Sequence, residues 1–122
     1  MKMITTTNAP AAIGPYSQAV QSGRLLFLSG QIPLSPETGQ LAAGGIAEQT
    51  KQVVDNIKAV LTEAGVGLES VVKTTCYLKS MDDFADFNEV YGKHFTHKPA
   101  RSCIAAALPR NALVEIEVIA EL

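Results

Sequence analysis

Six side chains in the C-terminal third of the sequence have types and spacings that could do chemistry. They are Arg101 and Cys103, two residues apart, Glu115 and Glu117, also two apart, and the histidines His94 and His97. A guanidinium offers a planar fork of donors that meets a carboxylate bidentately, so Arg101 reads as a clamp for the carboxylate of a small substrate. Cys103 stands one pleat away, but no base lies beside it in the sequence to generate a thiolate, so its sulfur is not expected to act in catalysis. The histidines fall near the end of a helical pattern, where polar or cationic groups suit the helix dipole, and no metal is expected there.

The elements that must position these groups can be read in order. Ala19 to Ser22 and Arg24 to Gln31 form two short strands around Gly23, the second carrying Leu25-Leu26-Phe27-Leu28, and predict a hairpin. Pro33 to Gly45 contains two prolines and three glycines and predicts a loop. From Ile46 to Ala64 the apolar residues Ile46, Val53, Val54, Ile57, Val60, Leu61 and Ala64 recur at helical spacing, and Gly65 supplies the stop. Val71 to Leu78 is β-branched and alternating, as a strand should be. Ser80 followed three residues later by Asp83 predicts a capping-box start for a second helix, with Phe84, Phe87, Val90, Tyr91 and Phe95 turned inward. Arg101 to Leu108 and Ala112 to Glu121, joined around Pro109-Arg110-Asn111, predict a closing antiparallel hairpin. The order ββαβαββ is α+β, a mainly antiparallel sheet with both helices on one face, and the other face must be covered by something else.

Alternation along that hairpin puts Ser102, Ile104, Ala106 and Leu108 on one face and Arg101, Cys103, Ala105 and Ala107 on the other. Val114, Ile116 and Val118 form an apolar row that should meet Ile104 and Leu108 beneath the helices. Matching the two rows places Arg101, Cys103, Glu115 and Glu117 on the helix-free face. With Leu108 opposite Val114, Arg101 lies opposite Glu121, and at roughly 3.3 Å per residue Glu115 is about 20 Å away. The pair cannot touch one small molecule from within one chain, so a shared site requires two copies packed face to face.

The 122 residues suit one domain, 1–122. With 47% apolar and 18% charged residues, the surface is short of groups that want water, which favours a homo-oligomer with a buried interface. A net charge of −2 and scattered Lys and Arg provide no basic stripe, which disfavours nucleic acid. Cys76 and Cys103 show no CxxC spacing and fit free thiols in a reducing compartment. No apolar signal core opens the sequence and no run is long enough to cross a bilayer, so a cytoplasmic location is expected and no membrane partner.

At the predicted hairpin, Lys98-Pro99-Ala100-Arg101-Ser102-Cys103, Leu108-Pro109 and Leu113-Val114-Glu115-Ile116-Glu117 resemble the RidA/YjgF family of enamine and imine deaminases. Gly14-Pro15-Tyr16-Ser17-Gln18-Ala19, Ser29-Gly30-Gln31-Ile32-Pro33 and the spacing Phe87-Asn88-Tyr91-Phe95 extend the resemblance over nearly the whole chain. It implies a chorismate-mutase-like α+β fold with a six-stranded sheet, a homotrimer whose sheets line a central barrel, and three sites in the clefts between subunits.

The resemblance also implies roles. Arg101 matches the arginine that holds the substrate carboxylate, and Glu115 the glutamate that positions water for attack at the imine carbon. Tyr16 matches a tyrosine whose hydroxyl reaches the site, with simple packing as the rival reading. Ser29 and Gly30 end a strand where a glycine lets backbone amides approach a ligand oxygen, or where it only makes a bend. Cys103 would contact the carboxylate through its backbone amide, and Asn88 would be a polar wall residue or purely structural. Glu117 has no such match and reads as structural. No metal or organic cofactor is called for. The implied substrates are 2-aminoacrylate, 2-aminocrotonate and their imine tautomers, small carboxylated imines converted to 2-keto acids. Two rivals stand beside this reading: a regulator that binds a 2-keto acid without turnover, and an endoribonuclease or translation inhibitor. Glu115 separates the first, because a carboxylate beside a bound carboxylate repels it and a pure binder gains nothing from it.

Overall fold

The computed structural model describes residues 1–122. Six strands and two α-helices follow in the order β1 (Lys2–Ile4), β2 (Ala19–Ser22), β3 (Leu25–Leu28), α1 (Ile46–Glu63), β4 (Val71–Leu78), α2 (Phe84–His94), β5 (Ala100–Ala105) and β6 (Val114–Glu121). Both helices appear where periodicity predicts them. In α1, Ile46, Val53, Val54, Ile57, Val60 and Leu61 are all buried, and Gly65 ends the helix at φ +88°, a conformation that costs a residue without Cβ nothing. The α2 start departs from a capping box. Ser80 Oγ accepts from Asp82 N at 3.1 Å and caps a single 3₁₀ turn, Met81–Asp83, before the α-helix begins at Phe84. His94 at its end is half-buried, and burial and then the charge of Lys58 hold its pKa below the usual imidazole value.

The strands form one mixed sheet in the order β1-β2-β3-β6-β4-β5. The β2-β3 hairpin turns at Gly23, φ +60°, as predicted. The C-terminal hairpin does not form: β5 and β6 are not neighbours, because β4 lies between them, antiparallel to β6 and parallel to β5. The pattern of apolar residues explains the choice. Val114, Ile116, Val118 and Ala120 give β6 a fully apolar row that is buried only if strands flank it on both sides, and β3 and β4 do so. β5 offers mostly small or polar residues, Ala100, Ser102 and Ala105, suited to an edge. The connection through α2 makes β4 and β5 parallel neighbours, the usual outcome of a βαβ crossover.

That insertion inverts the expected faces. In β4, Thr74, Cys76 and Leu78 point beneath the helices, and they stand level with Arg101, Cys103 and Ala105 of β5. Arg101 and Cys103 therefore lie on the helix-bearing face. Glu115 and Glu117, level with Tyr77 and Thr75, lie on the open face. Ile104, placed by the sequence beneath the helices, is 52% exposed on the open side.

Buried side chains from both helices and one parity of the strands join in a single core cluster of 21 residues. Across the opposite face, Met3, Val20, Phe27 and Ile119 stand level on four adjacent strands, and Met3 and Phe27 remain exposed. This is an apolar row with nothing over it within one chain. No helix is long and apolar enough to cross a membrane.

Candidate functional site: two half-sites on opposite faces

The first half-site forms where the chain leaving β3 crosses β6. Gln31 and Ile116 exchange both backbone hydrogen bonds, at 2.8 and 3.1 Å, and this bridge brings Ser29 and Gly30 against Glu115. A cleft of about 580 Å³ opens there, lined by Tyr16, Ser29, Gly30 and Glu115 together with Ile13, Ile32 and Arg110. Tyr16, half-exposed, rides on a strap between Ala9 and Ser17. Gln18 pins that strap from the core: its Oε1 accepts from Thr6 N at 2.7 Å, and its Nε2 donates to the carbonyls of Thr6 and Pro10 at 3.1 and 2.8 Å. Ser29 Oγ donates to the Ser17 carbonyl at 2.6 Å, so this hydroxyl holds the strap beside the cleft.

Glu115 is partly buried on the cleft wall. Burial, and then the charge of Glu117 two residues on, holds its pKa above the usual carboxylate value. Glu117 is itself engaged by Tyr77, whose hydroxyl donates to Oε1 at 2.6 Å. That bond is the main reason the phenol is pushed up to about 12. Glu117 thus has a structural partner on the open face and does not line the cleft, as expected.

The second half-site lies on the other face at the β5 edge, a groove of about 300 Å³ lined by Asn88, Tyr91, Phe95, Lys98, Pro99 and Arg101. Arg101 Nη1 donates to Asn88 Oδ1 at 2.7 Å, and the guanidinium carbon stands 5.0 Å from the Tyr91 ring centroid and 5.6 Å from that of Phe84. Cys103, half-buried on the same face, has its thiol pKa raised by burial, only partly offset by Arg101. Its neighbour in register, Cys76, is fully buried and pushed up to about 12. Both cysteines are free, and neither is set up as a nucleophile.

The seven candidate residues therefore divide. Tyr16, Ser29, Gly30 and Glu115 share the cleft, whereas Arg101, Asn88 and Cys103 gather at the far edge of the sheet. Arg101 stands level with Val118 through Thr74, not level with Glu121. The separation along the strands is thus shorter than the predicted 20 Å, but the opposite faces keep the two groups apart. Several participants escape a linear reading. Gln18 belongs to the Gly14-to-Ala19 motif without a role of its own there, Arg110 lines the cleft from the turn before β6, where it takes φ 59°, and Tyr91 and Phe84 have the spacing of ordinary core aromatics. Asn56, buried in α1, donates to the carbonyls of Ile32 and Leu34 at 3.2 and 2.9 Å and fixes the outer cleft wall. A polar residue on the apolar stripe of a helix was its only signal.

Comparison with known proteins agrees with the fold and with the motifs. A family profile described as Endoribonuclease L-PSP matches residues 6–122. The chain is 51% identical over 121 residues to the mouse 2-iminobutanoate/2-iminopropanoate deaminase, covering 98% of this chain and 90% of that one. A Thermotoga maritima crystal structure, provisionally described as an endoribonuclease, superposes with a TM-score of 0.97 at 52% identity over 100% of this chain and 98% of that one. The Escherichia coli protein TdcF, solved with bound serine, superposes with a TM-score of 0.95 at 39% identity over 100% and 99% of the two chains. With the profile covering nearly the whole length and these relatives matched end to end, the chain belongs to the RidA/YjgF family, the family that the profile describes as Endoribonuclease L-PSP.

Proposed function

We propose that this protein is a hydrolytic deaminase that converts 2-iminobutyrate and 2-iminopropanoate, the tautomers of 2-aminocrotonate and 2-aminoacrylate, to 2-keto acids and ammonia. The observation that carries the reading is the division of the polar groups into two half-sites, an anion clamp at one sheet edge and a carboxylate in a cleft on the opposite face. Each half lacks what the other has. Three copies in a chorismate-mutase-like homotrimer, each chain acting as one domain, would bring the Arg101 edge of one subunit to the Glu115 cleft of the next. The uncovered row Met3, Val20, Phe27 and Ile119 supports burial of the open face in such an assembly.

In that site Arg101 grips the substrate carboxylate in the plane of its fork, with the Cys103 amide beside it, and this fixes the imine carbon. Glu115 holds a water and takes its proton as the oxygen adds to carbon, giving a tetrahedral carbinolamine. Nitrogen takes up two protons, with Tyr16 as a relay: the one Glu115 removed from water as the carbinolamine forms, then the carbinolamine hydroxyl proton as the carbon–oxygen double bond forms and ammonia leaves. The sum is imine plus water to keto acid plus ammonia. A carboxylate with a raised pKa suits this double duty, since a group that accepts and returns a proton works best with a pKa near the working pH. The Gly30 backbone leaves room for the ligand and for Glu115 in one small space.

The test generates 2-iminobutyrate with a threonine dehydratase and follows keto-acid release. Wild type should accelerate it, Arg101→Ala and Glu115→Ala should not, and mixing the two variants by co-refolding should restore part of the activity, because some clefts then hold both wild-type groups. Wild-type release at the uncatalysed rate would refute the deaminase. Activity in the wild type but none in the mixture would refute the shared site. The second reading, a regulator that binds a keto acid without turnover, draws support from a relative that holds serine. The acidic balance supports no ribonuclease. The cytoplasm, where pyridoxal-phosphate dehydratases release such imines, is the proposed location.

A further inference from the structure

Arg101 lies on an edge strand among exposed neighbours, where a long flexible side chain would ordinarily sample many rotamers. It does not stand free. Phe84, Asn88 and Tyr91 follow one another at i, i+4 and i+7 on α2 and present one face to it. The two rings lie within cation–π range of the guanidinium, and Asn88 Oδ1 takes one nitrogen at 2.7 Å. Tyr91 is immobilised in turn. Its ring stacks on Phe95 at 4.5 Å and leans on Phe87 at 5.5 Å, and its hydroxyl is bonded at 2.7 Å to Thr74 Oγ1. Thr74 is Arg101's own neighbour in the sheet, so strand register and helix face converge on the same side chain.

We propose that Phe84 and Tyr91 are positioning residues of the carboxylate clamp, acting through Arg101. This rests on the reading of Arg101 as the clamp. With two aromatic rings within cation–π range and one nitrogen committed to Asn88, the guanidinium is held in place and its other donors are left for a planar carboxylate, a geometry a rotating ammonium could not enforce. The partners hold Arg101 before any ligand arrives, so the ordering that binding would otherwise require is already done.

Phe84 is the position to test, because it is only half-buried and Leu can replace it without opening the core. The full chain is titrated with 2-ketobutyrate, which reads the clamp whether or not the protein turns over imines. The Arg101 Nε–H resonance, displaced by the ring currents of Phe84 and Tyr91, is followed alongside. Phe84→Leu should weaken keto-acid binding about three- to tenfold, raise KM for 2-iminobutyrate by a similar factor with kcat nearly unchanged, and collapse the Arg101 signal toward that of a free arginine. Phe84→Tyr, which keeps a ring in place, should restore all three. Unchanged affinity and an unshifted resonance in Phe84→Leu would overturn the proposal, as would equal losses in Phe84→Leu and Phe84→Tyr. Absence of keto-acid binding by the wild type would also overturn it. Absence of imine hydrolysis with binding intact would refute the deaminase alone.

Discussion

Gly30 faces the carboxylate of Glu115 so closely that a Cβ at Gly30 would overlap Oε2 and press on Cδ at 2.9 Å. The backbone of Gly30 is not in the left-handed region, so its identity is set by space and not by φ. Gly30→Ala should therefore fold but push the Glu115 carboxylate aside. The expected outcome is a fall of about 100-fold in kcat/KM for 2-iminobutyrate with Tm lowered by only a few degrees. Side-chain displacement without loss of fold would be visible in a crystal structure of the variant.

The raised pKa of Glu115 carries a stability consequence. The folded state favours the protonated form relative to the unfolded chain, so this contribution is greatest below the ordinary carboxylate pKa and is lost as pH rises through the higher folded value. Glu115→Gln should abolish turnover yet raise Tm by about 2 °C at neutral pH, with the gain vanishing below about pH 4. Glu117→Gln removes one of the causes that raise Glu115, so the acidic limb of the rate–pH profile should move to lower pH while activity persists. Thermal melts and rate profiles between pH 4 and 8 check both, and a Glu115→Gln advantage that grows toward acid would contradict the sign.

Thr50 is fully buried in α1, and its hydroxyl is the one buried side-chain polar group without a hydrogen-bond partner. An unmet hydroxyl in an apolar setting costs about 1–3 kcal/mol. Thr50→Val keeps the shape and removes the group. It should stabilise the protein by about 1 kcal/mol in urea unfolding with an unchanged m-value.

The thiols should prove inert. Cys76 is held near 12 by burial, and Cys103 is raised for the same reason. Cys103→Ser retains the backbone amide and should keep kcat within about threefold of wild type, since only an attacking sulfur would make the loss large. In intact-mass kinetics with iodoacetamide at pH 8, Cys103 should react slowly and Cys76 only after unfolding.

Local features survive translation from sequence to structure almost unchanged. The i, i+3, i+4 pattern of Val53, Val54, Ile57, Val60 and Leu61, with Gly65 behind it, leaves α1 no other helix face to bury. The alternation of β6 dictates that Glu115 and Glu117 oppose Val114, Ile116 and Val118. β1 was not legible because three residues carry no period and become a strand only by pairing with β2.

The sequence by itself determined both helices, the β2-β3 hairpin, the alternation of β6 and the family motifs, whereas its ground for setting Arg101 and Glu115 on different chains was a β5-β6 hairpin that the fold does not contain. Only the tertiary structure decided which strand lies beside which. Strand pairing is a choice among distant segments, governed by how much apolar surface each order buries, and no local period records it. Setting β4 between β5 and β6 turned Arg101 from the open face to the helix face and placed it against Phe84, Asn88 and Tyr91, a contact no spacing along the chain could have announced.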